Sequence, residues 1–110
     1  MFFYGNNYMH NPESTRLFPY ILHKIEPKLF SFKRSKFNVE KYKDSTSRVC
    51  LWRSLKIPAV YTLETSLCGG SMKSQMPHFT IQNLMKIGQK FCVALLLYQD
   101  IKKSADEYDR

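Results

Sequence analysis

The chain has 110 residues, is 44% hydrophobic with 8 Phe and 7 Tyr, and carries a formal net charge of +8. That length limits it to one domain burying roughly 60–70% of its unfolded surface, and the aromatic content excludes a disordered chain. Three cysteines, Cys50, Cys68 and Cys92, none in a C-x-x-C pair, exclude a disulfide framework or a zinc knuckle and fit a reducing compartment.

Phe2, Phe3 and Tyr4 followed by Gly5-Asn6-Asn7 predict the end of a buried strand entering a loop. Ser14 or Thr15 can cap a helix whose apolar positions Leu17, Phe18, Ile21, Leu22 and Ile25 keep helical spacing. Pro19 is placed in its first turn and Pro27 ends it. Residues 28–43 alternate basic and aromatic side chains, and Leu29, Phe30, Phe32, Phe37 and Val39 suggest one or two short extended pieces. Ser45, Thr46 and Ser47 offer caps for a helix over residues 48–55, with Pro58 just beyond it and Arg48 in the first turn.

Residues 59–65 are β-branched and aromatic enough for a buried strand, with Val60, Thr62 and Glu64 on one face and Tyr61, Leu63 and Thr65 on the other. Gly69-Gly70 and the residues to Pro77 read as a loop. Thr80 caps a long helix to about residue 101, with Ile81, Leu84, Ile87, Phe91, Val93 or Ala94, Leu95 and Tyr98 on its buried side. Residues 1–102 form one unit, and 103–110 belong to a polar tail that frays.

This order predicts an α/β fold with helices laid on a sheet, its strands parallel through right-handed crossovers. A parallel sheet is covered on both faces. The chain has too few elements for that, so the expectation is a portion of a larger domain.

The positive charge is concentrated. Residues 28–56 hold nine basic side chains against Glu40 and Asp44, or seven of the eight net charges. Such a field suits an acidic partner and equally describes a solvated basic face. The acid at the end of a predicted strand, Glu64, also has two readings: a structural salt bridge, or a base whose pKa burial raises toward the range useful for proton transfer. His10-Asn11-Pro12-Glu13 spells H-x-x-E, but it lies in a Pro-containing loop without a third ligand, and a zinc site needs at least three converging donors. His23 reads as a surface or satisfied histidine. His78 precedes the last helix, and Cys68 lacks a nearby histidine that would make it a nucleophile.

Tyr61-Thr62-Leu63-Glu64-Thr65-Ser66-Leu67-Cys68-Gly69 resembles the Tyr-Thr-Met-Glu-Ser-Thr-Phe-Cys-Gly segment of the cytosolic carboxypeptidases, zinc metallocarboxypeptidases that remove glutamates from tubulin tails. Lys43-Asp44-Ser45-Thr46-Ser47-Arg48-Val49 with Trp52-Arg53 is similar to the family's Lys-Glu-Ser-Thr-Ala-Arg-Val-Val-Val-Trp-Arg stretch. Phe3-Tyr4-Gly5, Phe18-Pro19 and His78-Phe79-Thr80-Ile81 also resemble family segments.

The resemblance implies the C-terminal portion of a zinc-carboxypeptidase-like mixed sheet flanked by helices. It implies Glu64 as the general acid/base, and Arg48, with Lys43 and more weakly Lys41, in the pocket for a C-terminal glutamate side chain. The family's zinc ligands, an H-x-x-E pair and a third histidine, lie upstream of the matching segments. Zinc is therefore expected in the intact domain and none on this chain alone. Acidic glutamate-rich tails such as those of tubulin rank above nucleic acid as partner, no membrane partner is expected, and the compartment is cytoplasmic, with cytoskeletal association a further expectation. The alternative is an inactive basic fragment or binding module for acidic tails or nucleic acid, whose binding is salt-sensitive and independent of Glu64. A chain with open sheet edges can also simply fail to fold and aggregate.

Overall fold

The computed structural model describes residues 1–65 and 79–109. Among them the order is strand β1 (Phe2–Tyr4), helix α1 (Pro12–Ile25), a single 3-10 turn at Lys41–Lys43, helix α2 (Ser47–Leu55), strand β2 (Thr62–Glu64) and helix α3 (Ile81–Tyr108). This is a small α/β arrangement of three helices and one two-stranded sheet. The predicted loop through Gly69-Gly70 to Pro77 lies outside the described residues, as do Cys68 and His78.

The two strands pair antiparallel, with Phe2 opposite Glu64, Phe3 opposite Leu63 and Tyr4 opposite Thr62. The expectation of parallel strands is therefore corrected. The chain between β1 and β2 passes through two helices and a long irregular stretch, so no single crossover helix fixes their relative direction. The strand expected over residues 59–65 is shorter, and its three residues are exposed rather than buried, because among the described residues only β1 lies beside it.

Helix α1 begins earlier than the Ser14 or Thr15 cap predicts. Asn11 is the cap, its Oδ1 accepting from the Ser14 N–H at 3.2 Å, and Pro12 opens the first turn, where a missing N–H costs nothing. Pro19 consequently sits in the body of the helix rather than its first turn. Beyond Ile25, Glu26 caps α1 through its N–H to the Leu22 carbonyl at 3.0 Å.

The stretch 28–43 forms turns instead of strands. Its one ladder contact is a bridge from Lys36 to Tyr4, in which the Lys36 N–H donates to the Phe3 carbonyl and the Gly5 N–H to the Lys36 carbonyl, at 2.9 and 2.8 Å. Burial explains the choice: Leu29, Phe30 and Phe37 are all drawn inward, from both sides of the turns, which an extended, alternating strand would not allow.

The core gathers Phe3 of β1, Phe18, Ile21 and Leu22 of α1, Leu29 and Phe30, with Ile87 and Ala94 of α3. Rings of Phe3, Phe18, Phe30 and Tyr61 lie 4.8–6.1 Å apart. Each fully buried phenylalanine contributes roughly 2–3 kcal/mol of transfer free energy. Helix α3 is held by a stripe at helical spacing, Ile87, Phe91, Ala94 and Tyr98, the last two rings meeting Phe18 edge-on at 5.3 and 5.9 Å.

Of the residues expected on its buried side, Ile81, Leu84 and Leu95 stay exposed, and Phe91 keeps 37% exposure although its ring meets Phe18. The helix also continues through Tyr108, where a frayed tail was expected. Its start is fixed by a reciprocal cap: the Thr80 hydroxyl accepts from the Asn83 N–H and the Asn83 side chain accepts from the Thr80 N–H. Lys86 reaches back to the buried carboxylate of Glu26 at 3.4 Å, tying α3 to the end of α1.

Candidate functional site

The site is organised by the corner where β1 ends. Gly5 follows the strand in close quarters: a Cβ there would lie 2.7 Å from Cδ1 of Phe37 and 3.2 Å from Tyr61. Only glycine lets the backbone pass. Its carbonyl thereby faces α2, where it accepts a hydrogen bond from Nη1 of Arg48.

Arg48 is 5% exposed. Its Nη1 also donates to Oδ1 of Asn6 at 3.2 Å. Asn6, fully buried, completes the corner by donating from Nδ2 to the Arg48 carbonyl at 3.3 Å and the Val60 carbonyl at 3.4 Å. One amide side chain therefore joins the end of β1, the start of α2 and the approach to β2. Both contacts to Arg48 use one nitrogen. Among the described residues no hydrogen bond is seen from its Nε or Nη2, so the contacts that hold the guanidinium lie on one edge of its fork. Burial lowers the pKa of Arg48 from its ordinary value, with the Tyr4 phenol acting in the opposite sense; a guanidinium starts so high that it stays charged at neutral pH.

Lys43 belongs to the same corner. The turn at Lys41–Lys43 lays its ammonium over the Tyr4 ring, 4.6 Å from the centroid, with Tyr42 at 5.5 Å. Such a contact holds the amine in place without neutralising it. Two of the three expected site residues, Arg48 and Lys43, thus meet around Tyr4 and Gly5. Lys41 opens the same turn and is exposed.

Glu64 is elsewhere. It pairs with Phe2 at the far end of the β1–β2 ladder from the Tyr4–Gly5 corner. It is exposed, so the burial expected of it is not found among the described residues.

The remaining candidates resolve simply. His10 is exposed, its ring edge-on to Tyr8 at 5.8 Å, and Glu13 lies in the first turn of α1. Among the described residues no group of three or more His, Cys, Asp or Glu side chains could hold a metal ion. Nδ1 of His23 pairs with the Phe30 carbonyl at 2.9 Å, a satisfied histidine. No helix among the described residues is long and apolar enough to cross a membrane.

Sequence reading missed Gly5 and Asn6 as parts of the site. The available signal was a glycine and an asparagine directly after a strand, which reads as an ordinary loop.

Mouse (Mus musculus) cytosolic carboxypeptidase 3 is 40% identical over 90 residues, 81% of this chain and 9% of the relative. Cytosolic carboxypeptidase 2 of Xenopus tropicalis is 38% identical over 104 residues, 91% of this chain and 11% of its own length. Human cytosolic carboxypeptidase 1 is 40% identical over 82 residues, 74% and 7% respectively. The chain belongs to the cytosolic carboxypeptidase family. It spans about a tenth of the length of the curated relatives it matches. No family model and no solved structure matches. For a cytosolic carboxypeptidase segment the antiparallel pair and three helices described above are the observed architecture.

Proposed function

We propose that this chain is the part of a metallocarboxypeptidase, a hydrolase, that receives the side chain of a C-terminal or branch glutamate on acidic protein tails such as those of tubulin. The observation that carries the reading is Arg48: a buried guanidinium with one edge fixed by Gly5 and Asn6 and, among the described residues, no partner on the other. A carboxylate fits that fork in two parallel bonds, and desolvation strengthens the pair. Lys43, positioned on Tyr4, adds a second cation.

In this reading the chain lies at the C-terminal end of the catalytic domain, and Glu64 is the acid/base. Its carboxylate takes a proton from the attacking water and returns it to the leaving amine, as a positioned general base then acid. The described residues lack a zinc ligand set; the zinc of such a peptidase would be held by other segments, and no step here is assigned to it. The relatives are named as cytosolic proteins. We read this chain as cytoplasmic too, with cytoskeletal association following from a tubulin substrate.

The test is a calorimetric titration of the chain with a dipeptide ending in glutamate and with its glutamine counterpart. Binding of the first alone, lost in Arg48→Gln, supports the assignment; equal binding of both peptides, or retention in Arg48→Gln, overturns it. For Glu64, hydrolysis surviving Glu64→Gln in a zinc-competent domain containing this chain removes it as the base. The non-catalytic binding module remains distinct, because it predicts tail binding with no hydrolysis in that same domain.

A further inference from the structure

One end of the α1–α3 pair is open. The two helices run in opposite directions: Lys86, near the start of α3, pairs with Glu26 just past the end of α1, whereas Ile101 and Lys102 lie across a cavity from Glu13, Arg16 and Leu17. The apolar stripe of α3 continues past Tyr98 to Ile101, but one turn further it reaches Ala105, whose methyl is too small to close the gap. The result is a cavity of about 560 Å³ with an apolar end formed by Leu17, Tyr20, Phe32 and Ile101. Tyr20 and Ile101 stay 46% and 45% exposed, and the Tyr20 ring meets Phe32 edge-on at 5.7 Å. Sites for small ligands have this size and combine apolar walls with a few placed polar groups.

The charged groups here are Glu13, Arg16 and Lys102. Nη1 and Nη2 of Arg16 donate to Oδ1 of Asn7 at 3.3 Å, Nη1 also donates to the Pro12 carbonyl at 2.9 Å, and the guanidinium lies over the Phe37 ring, 4.6 Å from its centroid. These contacts position Arg16 without neutralising it. Among the described residues no carboxylate pairs with Arg16 or Lys102, and no cation pairs with Glu13. Glu13 and Arg16 are three residues apart on α1, which places their Cβ atoms about 5–6 Å from each other. Opposite charges thus stand side by side at the mouth of an apolar cavity, each without an ionic partner.

We infer that this cavity binds a free α-amino acid with a large apolar side chain, aromatic above all. Arg16 from α1 and Lys102 from α3 receive its carboxylate, Glu13 receives its ammonium, and the side chain lies on Leu17 against Tyr20, Phe32 and Ile101. A zwitterion matches both signs because its ammonium and carboxylate are separated by a single carbon. Glu13 works against a simple carboxylate and the two cations against a simple amine, so the charges also exclude the nearest competitors. Glu13 and Lys102 are exposed, and exposed ion pairs are weak, which sets the affinity at about 0.1–1 mM. None of the cavity's residues belongs to the Arg48 corner, and the inference does not depend on that reading.

The experiment titrates the 110-residue chain with phenylalanine, 3-phenylpropanoate, phenethylamine and alanine, read from the protein's NMR chemical shifts. Phenylalanine should bind, each analogue lacking one charge should bind about two- to fivefold more weakly, and alanine should not bind detectably. Glu13→Gln should weaken phenylalanine by that same factor without weakening 3-phenylpropanoate, and Lys102→Gln should weaken both of these while leaving phenethylamine no weaker. Both side chains are exposed, so these variants keep the fold. Ala105→Leu fills the cavity from an exposed helical position, favours the helix, and should abolish phenylalanine binding. The inference is overturned by phenylalanine binding no tighter than its two analogues, by equal weakening of phenylalanine and 3-phenylpropanoate in Glu13→Gln, by binding that survives Ala105→Leu, or by no binding to the parent chain.

Discussion

The hydroxyl of Tyr61 donates to the main-chain carbonyl of Thr15 at 2.9 Å. That carbonyl would ordinarily accept from the N–H four residues on, but the residue there is Pro19, which has none. A tyrosine from the approach to β2 thus supplies the bond that α1 cannot make for itself. The same ring stacks on Phe3 at 4.9 Å and on Phe18 at 6.0 Å, so packing and hydrogen bonding converge on one side chain.

Tyr61→Phe keeps the stacking and deletes the donor, leaving a carbonyl in the helix body unsatisfied. Equilibrium urea unfolding should show a loss of about 1–2 kcal/mol. In a Pro19→Ala background the helix regains its own N–H, and the same substitution should then cost less. Equal costs in the two backgrounds would dissolve the link between Pro19 and Tyr61.

The phenol also gives the chain an alkaline limit. Burial, the larger cause, and the Tyr98 phenol both raise the pKa of Tyr61 well above the ordinary value of 10.0. Above pH 10 the unfolded chain releases this proton while the folded chain keeps it, so the unfolded state binds fewer protons and stability falls as pH rises. Relative to Tyr61→Phe, the parent should lose about 1.4 kcal/mol per pH unit once past that value. Below it the two unfolding curves should run parallel.

Asn6→Ala removes the acceptor for Arg48 and the donor to two carbonyls in a fully buried position. The cost expected from denaturant unfolding is about 2–4 kcal/mol, since a guanidinium loses one of its two anchors as well. Asn6→Asp is the informative companion. It restores an acceptor, now charged, for Arg48 but not the donors to the Arg48 and Val60 carbonyls, and should fall between the parent and Asn6→Ala.

Gly5→Ala tests the close passage at the strand's end. The added methyl meets the Phe37 ring and the Tyr61 ring, and overpacking of this kind costs about 1–3 kcal/mol. If Phe37 yields instead, Phe37→Leu should rescue the variant in thermal unfolding.

Much of the helical framework was legible. The spacing of Phe18, Ile21 and Leu22 marked the buried face of α1, and Ser45 to Ser47 marked the start of α2, because helical periodicity and capping are local properties. Strand direction was not, since it depends on how residues sixty apart meet. Arg48 was identified by its motif, yet its burial was invisible: a charged residue amid many others reads as solvated until the Gly5 carbonyl and Asn6 are seen to receive it. Pro19 misled for a related reason. Its tolerance in mid-helix depends on Tyr61, a partner that no window around α1 contains.

The pairing of Phe2–Tyr4 with Thr62–Glu64 closes a loop of about sixty residues, and closure entropy grows with loop length. Three residue pairs offer little against that cost. The contacts that favour closure are those of Tyr61 with Phe3, Phe18 and the Thr15 carbonyl, which exist only once α1 has packed on β1. The sheet and the arginine corner, which also needs Asn6 to reach the Val60 carbonyl, therefore draw on the same long-range contacts, so weakening Tyr61 weakens both.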